Sequence, residues 1–385
     1  MRPLSVLVMI EPVSLPRLEG IASFARKHNW HIMLHDRVHG AISAWRGDGV
    51  IATLRSKSPR LQAVLELRDS GMPVVDLTIE CQQLRFPRVI SDHHAIGRLA
   101  GEHFKERGFA NVAWFSSCWS EVHRRRYEGF CETFGPDIVK MGARSLNRRL
   151  AEAQKPVGVL AHDESDAALV IDAAQSLGLN VPDDVSVLGI GDDPFLCENQ
   201  PTPISSIRQD LVRGAYEGAA LLQRLMDGAP MPPQPMLIPP TGLTVRASTD
   251  TIAHPDPLVR AALIYISHHL QISFGAPEIA SAVGLSRSRL DRLFADRLGH
   301  SVGTEIHDRR IAHAKLLLSS PDVPVKEIAE KCGFCNIAYF SNVFRRATGL
   351  SPRAWRDRNG VSAAPQPPGD GARASGDAAR IRLPR

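Results

Sequence analysis

Two groups of side chains near the end of the chain are suited to holding a polyanion. The first is Ser286, Arg287, Ser288, Arg289 and Arg292. The second, about 50 residues on, is Asn336, Ala338, Tyr339, Ser341, Asn342, Arg345 and Arg346. An arginine fork can pair bidentately with a guanine edge or grip a phosphate, and serine and asparagine add short donors and acceptors. The chemistry on offer is recognition of nucleic acid rather than bond breaking.

Such groups work only if something holds them on one outward face. In 276–298, Ile279, Ala280, Val283 and Leu285 can pack inward with Leu290, Phe294 and Leu298, the last three at four-residue steps that share a helical face. In 325–348, Ile328, Ala329, Cys332 and Phe334 do the same with Phe340 and Phe344. A turn at Gly284 or Gly333 separates two helices, and Ser286 or Asn336 is placed to cap the second. This is the pattern of a helix-turn-helix, given twice. The intervening stretch 302–318 reads as one long helix bearing Arg309, Arg310 and Lys315, a rigid spacer able to set two readers into successive major grooves.

The rest of the chain differs in kind. Up to about residue 227, short apolar runs at 5–10, 31–34, 49–52, 74–76, 89–91, 112–115, 157–161 and 185–190 alternate with helical stretches at 16–27, 60–70, 94–107, 127–134, 165–177 and 212–226. This alternation predicts parallel sheets with helices on both faces, in two lobes. The Pro-rich segment 229–257 marks a boundary, with strand only at 236–238 and 243–246. The tail 360–385 has few apolar anchors and is expected to be disordered.

Net charge is +5 for 385 residues. Roughly five more basic than acidic residues fall in 251–360, while 1–250 is slightly acidic. A basic end beside a near-neutral body suits nucleic acid at one end and a small molecule at the other. The six cysteines lie in scattered, mostly apolar stretches, as in a reduced protein. The Cys332-Gly-Phe-Cys335 pair has no neighbouring Cys/His pair to complete a zinc site, so no metal or cofactor is expected. The apolar run at 4–10 is closed by Glu11 and reads as a buried strand rather than a signal peptide. No run is long enough to span a membrane, and a cytoplasmic location is expected.

The segments GLSRSRLDRLFADRLGHSVGTEIHDRRIAHAKLLL and IAEKCGFCNIAYFSNVFRRATGLSPRAWR, over roughly 257–358, resemble the AraC family of transcription regulators, including its SPxxWR ending. The resemblance implies binding to promoter DNA, activation and contact with RNA polymerase. The preceding 250 residues do not read as that family's usual β-barrel. Instead ISDHHAIGRLAGEHFKERGFANVAWF, RRRYEGFCETF and GVLAHDESDAALVIDAAQSLGLNVPDDVSVLGIGDD resemble the lac-repressor type of periplasmic-binding-protein fold. That implies a ligand-sensing domain over 1–250, with lobes of about 1–116 with 208–230 and 117–207 with 231–250. A DNA-binding domain at 251–358 and a tail at 359–385 follow. Crossovers are expected near residues 115–118, 203–208 and 232–239. A homodimer through the first lobe is a further expectation from the resemblance.

In this fold ligands lie between the lobes, at the carboxyl ends of strands. Sugars are held there by paired donors and acceptors and an apolar ring face. The resemblance makes Arg126, the arginine of the family's R-x-x-G-F helix, the leading ligand-binding candidate. Asp163 matches the cleft aspartate, and Asp192 and Asp193 follow the 185–190 run. The ordinary alternative for these aspartates is a helix cap or turn. Glu11 and Arg17 follow the first strand. His93, His94, His123 and His162 are given ordinary surface or packing roles. One departure stands out: Gly191 occupies the place where the family commonly has a ligand-holding aspartate.

The expected protein is thus a DNA-binding regulator, with a sugar such as a pentose as its effector. A different small ligand or a protein signal remains the alternative within the same architecture. A sugar-binding protein or a sugar enzyme is the reading from another class. The chain has no GxxxxGK[ST] phosphate loop, no GxSxG elbow and no HExxH.

Overall fold

The computed structural model describes residues 2–35, 42–254, 256–318 and 323–359. The tail beyond 359, expected to be disordered, lies outside the described residues. The chain forms two compact units, Met1–Arg260 and Ala261–Arg385.

The first unit begins β1 (Leu4–Met9), α1 (Leu15–Lys27), β2 (Trp30–Leu34), β3 (Gly49–Ala52), α2 (Leu61–Asp69), β4 (Val74–Asp76) and β5 (Val89–Ser91). It continues α3 (His93–Glu106), β6 (Asn111–Phe115), α4 (Glu121–Phe134), β7 (Val139–Met141), α5 (Leu146–Glu152), β8 (Val157–Ala161) and α6 (Glu164–Ser176). It closes with β9 (Val185–Gly191), α7 (Pro194–Glu198), β10 (Ser205–Arg208), α8 (Leu211–Met226), β11 (Met236–Ile238) and β12 (Gly242–Thr244).

Two sheets result. One is fully parallel, in the order β2-β1-β3-β4. The other runs β12-β10-β9-β8-β6-β7 and is parallel except for β12. A short parallel pair, β5 with β11, stands apart. Parallel strands are covered on both faces, so β1, β3, β8 and β9 are almost wholly buried. The first sheet is covered by α1 and α8 through Ile21, Phe24, Ala215, Ala219 and Leu222.

The chain enters the second lobe earlier than the sequence suggests. Strand β6 pairs with β8, and α3 already packs into that lobe's core through Ile96, Ala100 and Phe104. The first crossover therefore lies between β5 and α3, not at 115–118. The segment 231–250 is split as well, β11 joining β5 and β12 joining β10. The first unit also runs past residue 250. Ser248 donates to the Val187 carbonyl, Ala253 N to Arg107 O, and Arg260 Nη1 to Asp183 O. These bonds tie residues 248–260 to the second lobe.

Helices α3 and α4 meet through reciprocal glycines. A Cβ on Gly97 would overlap the Arg126 carbonyl, and one on Gly129 would overlap the His94 carbonyl. This close approach sets the α4 side chains against the start of α3.

The helix α9 (Pro257–His268) spans the boundary between the units. The second unit then contains α10 (Ala276–Ala282), α11 (Arg287–Leu298), α12 (Val302–Leu318), α13 (Val325–Lys331), α14 (Ile337–Thr348) and α15 (Pro352–Asn359). Its core includes Ile311, Ala314, Leu318, Ile328, Ala329, Cys332, Phe334, Phe340 and Phe344.

Candidate effector cleft and DNA readers

Parallel strands deliver their next residues to one edge of a sheet. At the second sheet's carboxyl edge, Arg126 lies nine-tenths buried on α4, with 4% of its surface exposed. Its Nη1 donates to the His162 carbonyl at 2.6 Å and faces His162 Nδ1 at 3.3 Å. Its Nε reaches His93 Nδ1 at 3.4 Å, and Nη2 reaches Gln209 Oε1 at 3.5 Å. His162 follows β8, Gln209 follows β10 and His93 opens α3. The His123 ring stacks on His162, centroids 3.5 Å apart.

Burial dominates the electrostatics here. It lowers the Arg126 pKa to about 10, while Asp163 and Glu164 act in the opposite direction. Burial, then the Arg126 charge, pushes His93 well below its ordinary value. The same causes hold His123 down to about 4 and lower His162 further. The three imidazoles are therefore neutral, His93 and His162 facing the guanidinium as acceptors and His123 stacked on His162. Sequence reasoning gave them packing roles. The available signal was position, since His93 and His162 each follow within two residues of a strand end.

The other sequence candidates divide. Asp163 caps α6, accepting from Asp166 N at 2.8 Å, and its charge acts on Arg126 and His123. Arg17 is half-buried on α1 and acts as a like charge on Arg126 and His93, with Arg55 acting on it in turn. Glu11 is engaged within its own lobe by Arg60, by His35 at 3.3 Å and by Ser58 Oγ at 3.2 Å.

Asp192 and Asp193 take the ordinary alternative. The Asp192 carboxylate accepts from Arg246 Nη1 and Thr244 Oγ1, each at 2.7 Å. Asp193 is exposed and caps α7 through Phe195 N. The Asp192 carboxylate is thus engaged by partners from the segment around β12. Gly191 has φ 144°, and a Cβ there would lie 2.6 Å from Glu164 Oε2. The buried Glu164 fills that space, bonded to the Ser206 hydroxyl and to Asp192 N at 2.6 Å. Burial raises its pKa, against the pull of those two bonds.

Exposed apolar groups stand beyond strand ends: Val13 and Leu15 after β1, Trp119 after β6 and Phe195 after β9. Trp119 lies 6.1 Å from the His123 ring, close enough to offer a ring face beside the Arg126 cluster.

In the second unit the two readers repeat each other closely. Helices α10 and α13 bury Ile279 with Ala280 and Ile328 with Ala329 at equivalent positions. Helices α11 and α14 bury Leu290 with Phe294 and Phe340 with Phe344. Val283, Leu285 and Leu298 are half-buried. The turn glycines have φ 66° at Gly284 and 69° at Gly333, and both second helices end on left-handed glycines, Gly299 and Gly349.

Ser286 accepts from Arg289 N and Asn336 from Ala338 N and Tyr339 N, so both serve as caps. Arg287, Ser288, Arg289, Arg292, Ala338, Tyr339, Asn342, Arg345 and Arg346 are exposed, and Ser341 is half-buried, donating to Ile337 O. The spacer arginines are engaged within the second unit. Arg310 is buried against the Phe274 and Phe334 rings and donates to Ile272 O, and Arg309 pairs with Glu305 and Ser267. Among the described residues no group of three His, Cys, Asp or Glu could hold a metal. Nor is any described helix long and apolar enough to cross a membrane.

Comparison with known proteins follows this division. Residues 102–249 match the periplasmic binding protein-like domain, and residues 279–358 match a helix-turn-helix domain. The chain is 27% identical over 370 residues to the xylose operon regulatory protein of Escherichia coli (strain K12), covering 89% of this chain and 93% of that protein. It is 26% identical over 366 residues to the protein of that name from Haemophilus influenzae, covering 88% and 94%. The arabinose operon regulatory protein of Escherichia coli (strain K12) is 45% identical over 106 residues, 27% of this chain and 36% of that protein. Among solved structures, the xylose-binding transcription activator xylR superposes with a TM-score of 0.57 at 24% identity, covering 94% of this chain and all of that one.

Proposed function

We propose that this chain, a XylR-like regulator of transcription and not an enzyme, activates its target genes when a sugar occupies the cleft around Arg126. The single observation that supports this best is the joining of two features in one polypeptide. A buried arginine ringed by neutral acceptors sits at the carboxyl edge of a parallel sheet, and two matching readers follow. The relatives' names speak of xylose and arabinose operons, and a sugar suits a cleft with a donor fork and an indole face.

In this reading, a bound sugar favours one arrangement of the two lobes, and that arrangement alters how the readers of a homodimer are placed on promoter DNA. Such coupling requires that effector and DNA each prefer one state. Arg287, Arg289, Arg292, Asn342, Arg345 and Arg346 are the groups we assign to DNA. Contact with RNA polymerase would follow from promoter-bound activation. Fluorescence anisotropy with the chain's own promoter tests this. Salt-sensitive binding is expected; binding that ignores salt and every sugar would remove the reading.

A further inference from the structure

The two readers share a framework but not a face. Helices α11 and α14 are each 12 residues long, with a cap, two buried residues and a left-handed glycine in the same order and spacing. Each residue of one therefore has a single counterpart in the other. By the helical period, the positions opposite Leu290 and Phe294 are Ser288 and Arg292, and their counterparts opposite Phe340 and Phe344 are Ala338 and Asn342. All four are exposed.

The flanking positions differ in the same sense. Arg287 corresponds to Ile337, 45% exposed, and Arg289 to Tyr339, 52% exposed. Arg287 Nε lies 3.8 Å from Asp291 on its own helix. Tyr339 is drawn towards α12, its hydroxyl 3.2 Å from His307 Nε2. Further along the order reverses. Where α14 has Arg345 and Arg346, α11 has Ala295 and Asp296. Three of the four arginines of α11 precede Phe294, whereas both arginines of α14 follow Phe344.

In a helix-turn-helix the first residues of the second helix meet base edges in the major groove. A guanidinium there matches the two acceptors of guanine, O6 and N7. A carboxamide matches the donor and acceptor of adenine, N6 and N7, and a small apolar side chain meets the thymine methyl. Ala338 and Asn342, four residues apart on one face, offer these last two together. No cation stands at that end of α14 to favour guanine. Arg345 and Arg346 lie nearer the end of the helix, where contacts pass from base edges to the backbone, and fit phosphate.

We infer that the two readers recognise unlike base pairs: α11 a guanine, through Arg292, and α14 an adenine with a thymine beside it, through Asn342 and Ala338. The DNA site then has a direction, with G·C under the first reader and A·T under the second, about one helical turn apart. This rests on both readers binding DNA and is independent of what fills the cleft.

The test is selection of binding sites from random duplexes by the full chain, followed by anisotropy with the selected duplex. Two blocks should emerge, one built on G·C and one on A·T. In the first, 7-deazaguanine, which lacks the N7 acceptor, should weaken the natural protein roughly 5-fold or more and leave Arg292→Ala at its already lowered affinity. In the second, 7-deazaadenine should weaken the natural protein and not Asn342→Ala. Uracil for thymine removes the methyl alone and should cost the natural protein roughly fourfold, but not Ala338→Ser. Asn342→Arg should turn the preferred base of that block from adenine to guanine. All three positions are exposed, and circular dichroism should show every variant folded. Two blocks of like composition would overturn the inference. So would undiminished sensitivity of Arg292→Ala to 7-deazaguanine, or an equal loss by Asn342→Ala on every duplex. Binding that selects no sequence would overturn it while leaving the readers as a phosphate grip. No binding to any duplex would remove the DNA reading itself.

Discussion

The cleft and the readers use the same side chain in opposite surroundings. In α11 and α14 the arginines stand in water, on helices pinned from behind by Leu290 and Phe294 or by Phe340 and Phe344. In the cleft, Arg126 is buried, its partners are neutral, and its pKa is drawn down to about 10. An exposed arginine is available to any phosphate and gains little from its own protein. A buried one costs stability unless acceptors are placed around it, which restricts what it can bind. On the proposed function the readers would supply affinity for a polyanion, and the cleft would supply choice.

The largest effects should come from the framework beneath the readers. Phe294→Ala and Phe344→Ala each remove a fully buried ring at equivalent places. Each should cost about 3–5 kcal/mol in the second unit's unfolding by denaturant. If one were nearly silent, the equivalence of the two readers would fail.

Smaller effects should follow in DNA binding. Arg289→Ala and Arg345→Ala should each weaken promoter binding by about 1–3 kcal/mol, and for a phosphate contact should lower the salt slope by about one. Arg310→Ala, at a buried arginine stacked on Phe274 and Phe334, should lower stability and leave the salt slope unchanged. A steep loss of slope there would mean that the spacer helix touches DNA after all.

The cleft should also respond to acid. His123 titrates at about 4 instead of 6.5, first because it is buried and then because of Arg126, and His93 and His162 are shifted in the same direction. Between about 6.5 and about 4 the unfolded chain binds protons that the folded chain refuses, so stability falls as pH falls through that window. Melting curves across it should show the decline in the first unit. A flat profile would contradict the neutral histidine cluster.

Much of this was legible from the residues. The readers show in the sequence because their function follows the backbone period, with apolar residues at four-residue steps and polar ones between. The strand–helix alternation of the sensing unit shows for a similar reason. What stayed hidden depends on partners distant in sequence. Asp192 is claimed by Arg246, Gly191 is explained by Glu164, and Arg310 is held by Ile272 O and two phenylalanine rings. The first crossover was displaced because β6 reads equally well as the last strand of one lobe or the first of the next. Only its pairing with β8 decides.

The central claim is that occupancy of the Arg126 cleft controls the readers. The most direct measurement is promoter affinity of the full chain with and without its stabilising sugar ligand, for the natural protein and for Arg126→Ala. The account predicts an effector-dependent change in affinity of about 5-fold or more, the ordinary range of allosteric coupling, in the natural protein. In Arg126→Ala the ratio should fall to one. An equal response in both proteins would contradict it.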